Sequence, residues 1–201
     1  MITRESQQMF NFALRMKRKR IALFISGNGS NARNIIKYFD NHAQIGVSLV
    51  LSSAKNELMD KFCSEQSIFF AQPSGIEGDA YLKLCQEQEI DWVILAGFLK
   101  KIPSDFINAF PDRILNIHPA LLPNYGGKGM YGAREHEAVI AAGEKESGIT
   151  IHWVNEHYDE GAIIFQAKCS IDANDTADSL ANKIHALEHA HFAPTIEKLL
   201  G

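Results

Sequence analysis

The sequence predicts an α/β protein: a mainly parallel twisted sheet flanked by helices, with antiparallel strands towards the C-terminus. Three observations carry this. Short apolar runs that stop at glycine or proline alternate with segments of helical spacing, as repeated βα units with right-handed crossovers do. The first run, Ile21–Ser26, is apolar almost throughout and stops at Gly27, like a strand buried on both faces. Further on, Ile149–Val154 and Ile163–Ala167 alternate in polarity and are joined through Asp159-Glu160-Gly161, as paired antiparallel strands are.

After the first strand, residues 31–39 carry Ile35, Ile36 and Phe39 at helical spacing, and 45–51 is a second apolar strand. Residues 56–66 read as a helix with Leu58 and Phe62 four apart, 68–71 as a short strand, and 79–88 as a helix with Tyr81, Leu82 and Cys85 inward. Trp92–Ala96 is a strand that stops at Gly97; residues 103–110 form a short helix with Pro103 in its first turn. Ile114–Ile117 is the next strand. The stretch from Pro123 to Gly132 contains Gly126, Gly127, Gly129 and Gly132 without apolar periodicity, the composition of a mobile loop able to act as a lid. Residues 135–142 form a helix closed by Gly143, and 176–200 a long helix with Leu180, Ile184 and Leu187 on one stripe. The chain reads as one domain over 20–201, preceded by a basic extension over 1–19.

With 201 residues, 46% hydrophobic and 22% charged, the chain has the composition of a globular protein with one substantial core. No apolar run reaches the roughly 18–20 residues that span a bilayer, and the basic cluster follows the weakly apolar Met9–Met16 instead of preceding it, unlike a signal peptide. Cys63, Cys85 and Cys169 are odd in number and form no CxxC, which suggests reduced thiols in a cytoplasmic protein. The net charge of -4 conceals an asymmetry: residues 1–20 hold six Lys/Arg and one Glu, the remainder 14 basic and 23 acidic residues. An acidic body disfavours nucleic acid as a partner. An anionic ligand must then be held by backbone amides and a few local cations.

Ser26-Gly27-Asn28-Gly29-Ser30-Asn31 joins the first strand to the first helix. Its glycines let the backbone approach an anion, and Ser30 and Asn31 are able to cap a helix whose N–H groups favour phosphate. It is neither GxGxxG nor a P-loop. A tight, well-capped turn would look the same, but the first βα turn of such a sheet is a ligand position. Further along, Asn116 and His118 stand two apart on extended chain, so their side chains share one side, and Pro119 ends the strand. Acyl transfer to an amine needs a donor for the oxyanion, a group that moves protons, and a carboxylate that orients that group. Asn116, His118 and Asp159 supply those types, and a nearby carboxylate would raise the histidine pKa. Singly, each also has an ordinary structural role: a loop hydrogen bond, a satisfied core histidine, a turn residue. No GxSxG or activated cysteine is present, which disfavours covalent catalysis. His185 and His189, in His-x-x-Glu-His, have the spacing of a metal pair but no evident further ligand; the polar face of the last helix is the simpler placement.

Ile25-Ser26-Gly27-Asn28-Gly29-Ser30-Asn31, Leu95-Ala96-Gly97-Phe98, Leu115-Asn116-Ile117-His118-Pro119-Ala120-Leu121-Leu122-Pro123, Ser147-Gly148-Ile149-Thr150-Ile151-His152 and Asp159-Glu160-Gly161 together resemble the phosphoribosylglycinamide formyltransferase family, in order, from about Arg20 onwards. The resemblance implies a Rossmann-like formyltransferase fold. It also implies formyl transfer from 10-formyltetrahydrofolate, as co-substrate and without a metal, to the amine of phosphoribosylglycinamide in purine biosynthesis. It implies a catalytic trio of Asn116, His118 and Asp159, with Gly29, Ser30 and Asn31 on the substrate phosphate and Glu188 on the ribose. Folate would lie against Leu95, Phe98, Leu99, Lys100, Lys101 and Ile102 and against Asn116, Asn155, Glu156, His157, Tyr158 and Asp159. A flat heterocycle would bury well against the apolar members. The expected partners are these small molecules, not nucleic acid or membrane, and the expected state is a monomer or weak homodimer. Methionyl-tRNA formyltransferase and formyltetrahydrofolate hydrolase share the Asn-x-His logic, but each carries a further domain that 201 residues do not accommodate. A non-catalytic phosphate-binding module has no need of the trio. Three departures stand out: Gly78-Asp79 where the family often has an arginine near folate, a longer glycine-rich loop containing Lys128, and Ala120 for the commoner serine.

Overall fold

A computed structural model describes residues 18–73, 78–127, 129, 130 and 132–201. Seven strands form one sheet: β1 (Lys19–Ile25), β2 (Ile45–Ser52), β3 (Phe69–Ala71), β4 (Trp92–Leu95), β5 (Ile114–His118), β6 (Glu146–Trp153) and β7 (Ile163–Ser170). The order is β3-β2-β1-β4-β5-β6-β7. Strands β1 to β5 pair in parallel, and β6 and β7 are antiparallel additions. The helices are α1 (Ser30–Tyr38), α2 (Glu57–Glu65), α3 (Gly78–Glu87), α4 (Ser104–Ala109), α5 (Ala133–Ala141) and α6 (Ala177–Leu200).

Period-two alternation divides the core in two. Ile21, Leu23 and Ile25 of β1 face a cluster with Ile35 and Ile36 of α1, Met59 of α2, Val139 of α5 and Leu180, Ile184 and Phe192 of α6. Ala22 and Phe24 face the other side, with Tyr81 and Cys85 of α3 and Phe106 of α4. Phe24 meets Tyr81 and Phe98 edge-on, with centroids 5.7 and 5.3 Å away. Both faces of the central strands are thus covered, as their unbroken apolar runs require.

One boundary differs from expectation for a physical reason. The sheet begins at Lys19, inside the basic cluster, whose described members are tied to the fold. The Arg18 guanidinium donates to the carbonyls of Ile45 and Phe39 at 2.8 and 3.3 Å, the Lys19 ammonium to Leu200 O at the end of α6, and Arg20 Nε to Gln88 O at 2.8 Å. Cations there satisfy carbonyls that helices and strands leave open. Residues 1–15, and Lys128 within the glycine-rich loop, lie outside the described residues.

After β3 the chain crosses from one side of β1 to the other and enters β4. The C-terminal ends of β1 and β4 therefore diverge into separate loops, the switch point at which open α/β sheets form ligand crevices.

Candidate active site

A cavity of about 730 Å³ opens at that switch point, within the range of small-molecule sites. Gly27 to Asn31 line one end, Leu95 to Ile102 and Asn155 to Tyr158 the other, and Asn116, His118 and Asp159 stand between them, with Glu188 reaching in from α6. The fold thus brings together the residues that the family resemblance implied for catalysis, phosphate, ribose and folate.

At the loop end, the cap position of α1 is Gly29, at φ 77°, and no side chain caps the helix. The expected capping by Ser30 and Asn31 is therefore corrected. Both lie within the helix; Asn28 Oδ1 accepts from Ser30 N at 3.1 Å, and Asn31 is buried with Nδ2 donating to Glu188 Oε2 at 2.9 Å. His185 Nδ1 approaches the same oxygen at 3.1 Å, and this contact raises the pKa of His185. With glycine at the cap position, the Ser30 amide takes the Asn28 side chain and the next first-turn amides are left without a cap from Gly29, which suits an anion.

At the reaction centre, Asn116 and His118 share a face of β5 with Ile114. Antiparallel pairing sets His152 of β6 opposite Asn116. Buried His152 donates from Nδ1 to the Trp153 carbonyl at 2.8 Å, which leaves Nε2 to accept from Asn116 Nδ2 at 3.1 Å. The second Asn116 contact, to Asp159 Oδ1, is long at 3.5 Å, and a better acceptor placed in the cavity would displace it. His118, 4% exposed, donates from Nε2 to the Tyr125 carbonyl at 2.8 Å. Its Nδ1 faces Asp159 Oδ2 at 3.7 Å, close enough for charge to be felt but too long for a hydrogen bond.

Asp159 stands on the β6–β7 connection at φ 58°, a left-handed conformation that Asp tolerates better than most residues. Gly161 holds this connection: a Cβ there would lie 1.7 Å from the Trp153 carbonyl oxygen. Asp159 Oδ2 in turn accepts from Gly127 N at 2.9 Å, so the start of the glycine-rich loop is pinned to the site. Burial pushes the Asp159 carboxyl up, but the His152 and His118 rings facing it at 3.6 and 3.7 Å and the Gly127 N–H together outweigh it and hold it below its usual range. For His118 the balance is the reverse. Burial lowers its pKa by more than Asp159 and the Tyr125 carbonyl raise it, so the expected upward shift is corrected: the free site holds a neutral imidazole.

At the far end, Leu95, Phe98 and Ile102 are buried and join the aromatic core, while Leu99 is 51% exposed at the rim. Lys101 lies over the Tyr158 ring at 5.9 Å. Sequence reasoning assigned no role to His152, Glu135 and His136, all buried and all lining the cavity. Their only signal was a polar residue inside an apolar strand, or in a helix's first turn where acids are ordinary. Cys63 and Cys85 are buried and pushed up to about 12 by that burial, too high for a thiolate nucleophile. His185 and His189 lie exposed on α6 with ring centroids 5.5 Å apart.

Fold and site together define an α/β domain with a crevice at its switch point, which has a glycine-capped helix N-terminus at one end and an apolar wall at the other. The chain belongs to the formyl transferase family, whose sequence profile matches residues 19–196. The chloroplastic phosphoribosylglycinamide formyltransferase of Vigna unguiculata is 40% identical over 92% of this chain and 62% of its own length. The chain thus spans under two thirds of that plant relative. The phosphoribosylglycinamide formyltransferase of Bacillus subtilis is 32% identical over 91% of this chain and 95% of its own. The crystal structure of phosphoribosylglycinamide formyltransferase from Bacillus halodurans superposes with a TM-score of 0.81 at 33% identity, covering 91% of this chain and 96% of that one.

Proposed function

We propose that this protein transfers a formyl group from 10-formyltetrahydrofolate to the primary amine of 5-phosphoribosylglycinamide, a step of purine biosynthesis. One observation carries the reading: an amide, a neutral imidazole and an ionised carboxylate converge midway between a glycine-capped helix N-terminus and an apolar slot. The first end suits the phosphate, with Gly29, Ser30 and Asn31 around it and Glu188 beside the ribose. The second suits the pteridine, against Leu95, Phe98, Leu99 and Ile102, with Lys100, Lys101 and residues 155–158 around it. The relatives named above support the same pair of substrates.

The amine nitrogen attacks the formyl carbon, and the carbonyl π pair moves to oxygen. Asn116, held by His152, exchanges its long contact with Asp159 for one to the oxyanion. His118 is neutral beforehand, so it is free to take the proton that the attacking nitrogen loses. The oxyanion and Asp159 then stabilise the imidazolium. Collapse of the intermediate breaks the bond to the folate nitrogen, and the proton passes from His118 to that leaving nitrogen. The Tyr125 carbonyl orients the ring, and Asp159 faces the nitrogen that gains the proton. The chain acts as a single unit from the start of β1, on small molecules, in the cytoplasm, as a monomer or weak homodimer.

The purified protein given 10-formyltetrahydrofolate should form tetrahydrofolate only when phosphoribosylglycinamide is also present, as followed by folate absorbance. Folate turnover without the amine would point to hydrolysis, and no turnover in either mixture would refute the reading.

A further inference from the structure

Six carboxyl groups line the cavity; Glu137, Glu156 and Asp178 are exposed, and the other three, which are not, are unequally provided with donors. Asp159 has the Gly127 N–H at 2.9 Å, with His118 and His152 facing it at 3.7 and 3.6 Å. Glu188 has Asn31 at 2.9 Å and His185 at 3.1 Å. Glu135, in the first turn of α5, is 1% exposed, and its Oε2 has no hydrogen-bond partner among the described residues. The charged groups acting on it are Asp159, from the β6–β7 connection, and Glu188, from α6. Its neighbour His136, on the same helix, is also buried, with Nδ1 unpartnered among the described residues.

Carboxylates that share a dry cavity repel, and the proton settles on the one with the fewest donors. Here that is Glu135. An unsatisfied buried oxygen is rare enough in folded proteins to call for a partner that arrives with a ligand. Glu135 lines the same cavity as Asp159 and Glu188 and feels the charge of both, so an amine that enters between them meets it.

We propose that Glu135 is a proton-linked site for the cationic amine of the acceptor: its carboxyl is neutral while the cavity is empty and ionises, releasing its proton to solvent, when an ammonium group enters. Burial and the two neighbouring carboxylates hold its pKa at about 7, so the exchange operates near neutrality. When the ammonium later sheds a proton to attack, the carboxylate is there to take it, which restores the neutral acid and frees the nitrogen lone pair. The identity of the amine rests on the function proposed above.

Calorimetric titration of the full chain with phosphoribosylglycinamide, at pH 6.5 in buffers of different ionisation enthalpy, counts the protons released. The ligand's own phosphate contributes equally to every variant. The wild type should release about half a proton or more beyond Glu135→Gln and Glu135→Met, and both variants should bind about tenfold more weakly at pH 8. Both should melt no lower than wild type at pH 8, which shows that they fold. Equal proton counts in wild type and both variants would overturn the inference, as would no binding by the wild type. Formyl transfer by the wild type is assayed separately. A proton difference without transfer would sink the functional reading and leave Glu135 standing; transfer with unchanged proton counts would do the reverse.

Discussion

His118 shows how little one residue's identity says about its chemistry. A histidine two residues from an asparagine, with an aspartate in reach, suggests an imidazolium. Yet the ring is 4% exposed, and burial outweighs the carboxylate. A neutral ring is the useful starting state for a group that must take a proton during the reaction. His118→Ala should therefore lower kcat by roughly a hundred- to ten-thousandfold, while the KM for the phosphorylated amine changes only severalfold, because the loop at Gly29 to Asn31 is untouched. Steady-state kinetics on both substrates checks this. Asn116 carries the complementary lesson. Its amide is oriented by His152, 36 residues away in sequence, and only the antiparallel register sets the two side by side.

Elements aim these residues. Strand β5 ends at His118 because Pro119 cannot continue the ladder, and the Thr150 hydroxyl of β6 ties the chain beyond it, accepting from Leu122 N at 3.0 Å and donating to Ala120 O at 2.7 Å. The β6–β7 connection sets Asp159 in place because Gly161 packs directly on the Trp153 carbonyl. Gly161→Ala should force that connection outward. We expect a loss of about 2 kcal/mol or more, within the range for overpacked sites, read as a lower denaturant midpoint. Activity should fall further than stability explains, because Asp159 moves with the turn. Helix α6 begins with a capping box, Thr176 accepting from Ser179 N at 3.2 Å and Ser179 Oγ from Thr176 N at 2.9 Å. Thr176→Ala should cost about 1 kcal/mol and leave kcat unchanged, since Glu188 lies three turns further on; thermal unfolding and kinetics together test this.

At the scale of the molecule, the cavity's buried titrating groups shape stability against pH. His118 and His136 have lowered pKa values through burial. Between their folded values and the unfolded histidine value of about 6.5, the unfolded chain binds more protons. Their contribution is thus intact above about pH 6.5 and is lost as the pH falls below it. Glu135 behaves oppositely. Its pKa is raised from 4.5 to about 7, so the folded state binds the extra proton and stability falls as the pH rises through that window. The full shift corresponds to about 3 kcal/mol at most. Denaturant titrations from about pH 4 to 8.5 should show the Glu135 contribution falling as the pH rises from about 4.5 to about 7, against the gain from the two histidines as the pH rises towards about 6.5, and Glu135→Gln should remove the first while leaving the second. The same pH profile in wild type and Glu135→Gln between about pH 4.5 and 7 would show that Glu135 does not titrate there.

The alternation of buried strands with helices was legible in the chain itself, because a strand covered on both faces must be apolar throughout and a helix covered on one must repeat at its own period. So were the site candidates: Asn116 and His118 through their two-residue spacing, and the glycines of the first βα loop through what a close backbone approach demands. The sequence alone determined the fold class and which side chains were available for chemistry. Only the tertiary structure decided their states and pairings. It tied Asn31 to Glu188 instead of leaving it to cap α1, set His152 against Asn116, buried Glu135 with its Oε2 unpartnered among the described residues and held His118 neutral. Hydrogen-bond pairing and desolvation depend on groups brought together from distant parts of the chain, and local periodicity carries no record of them.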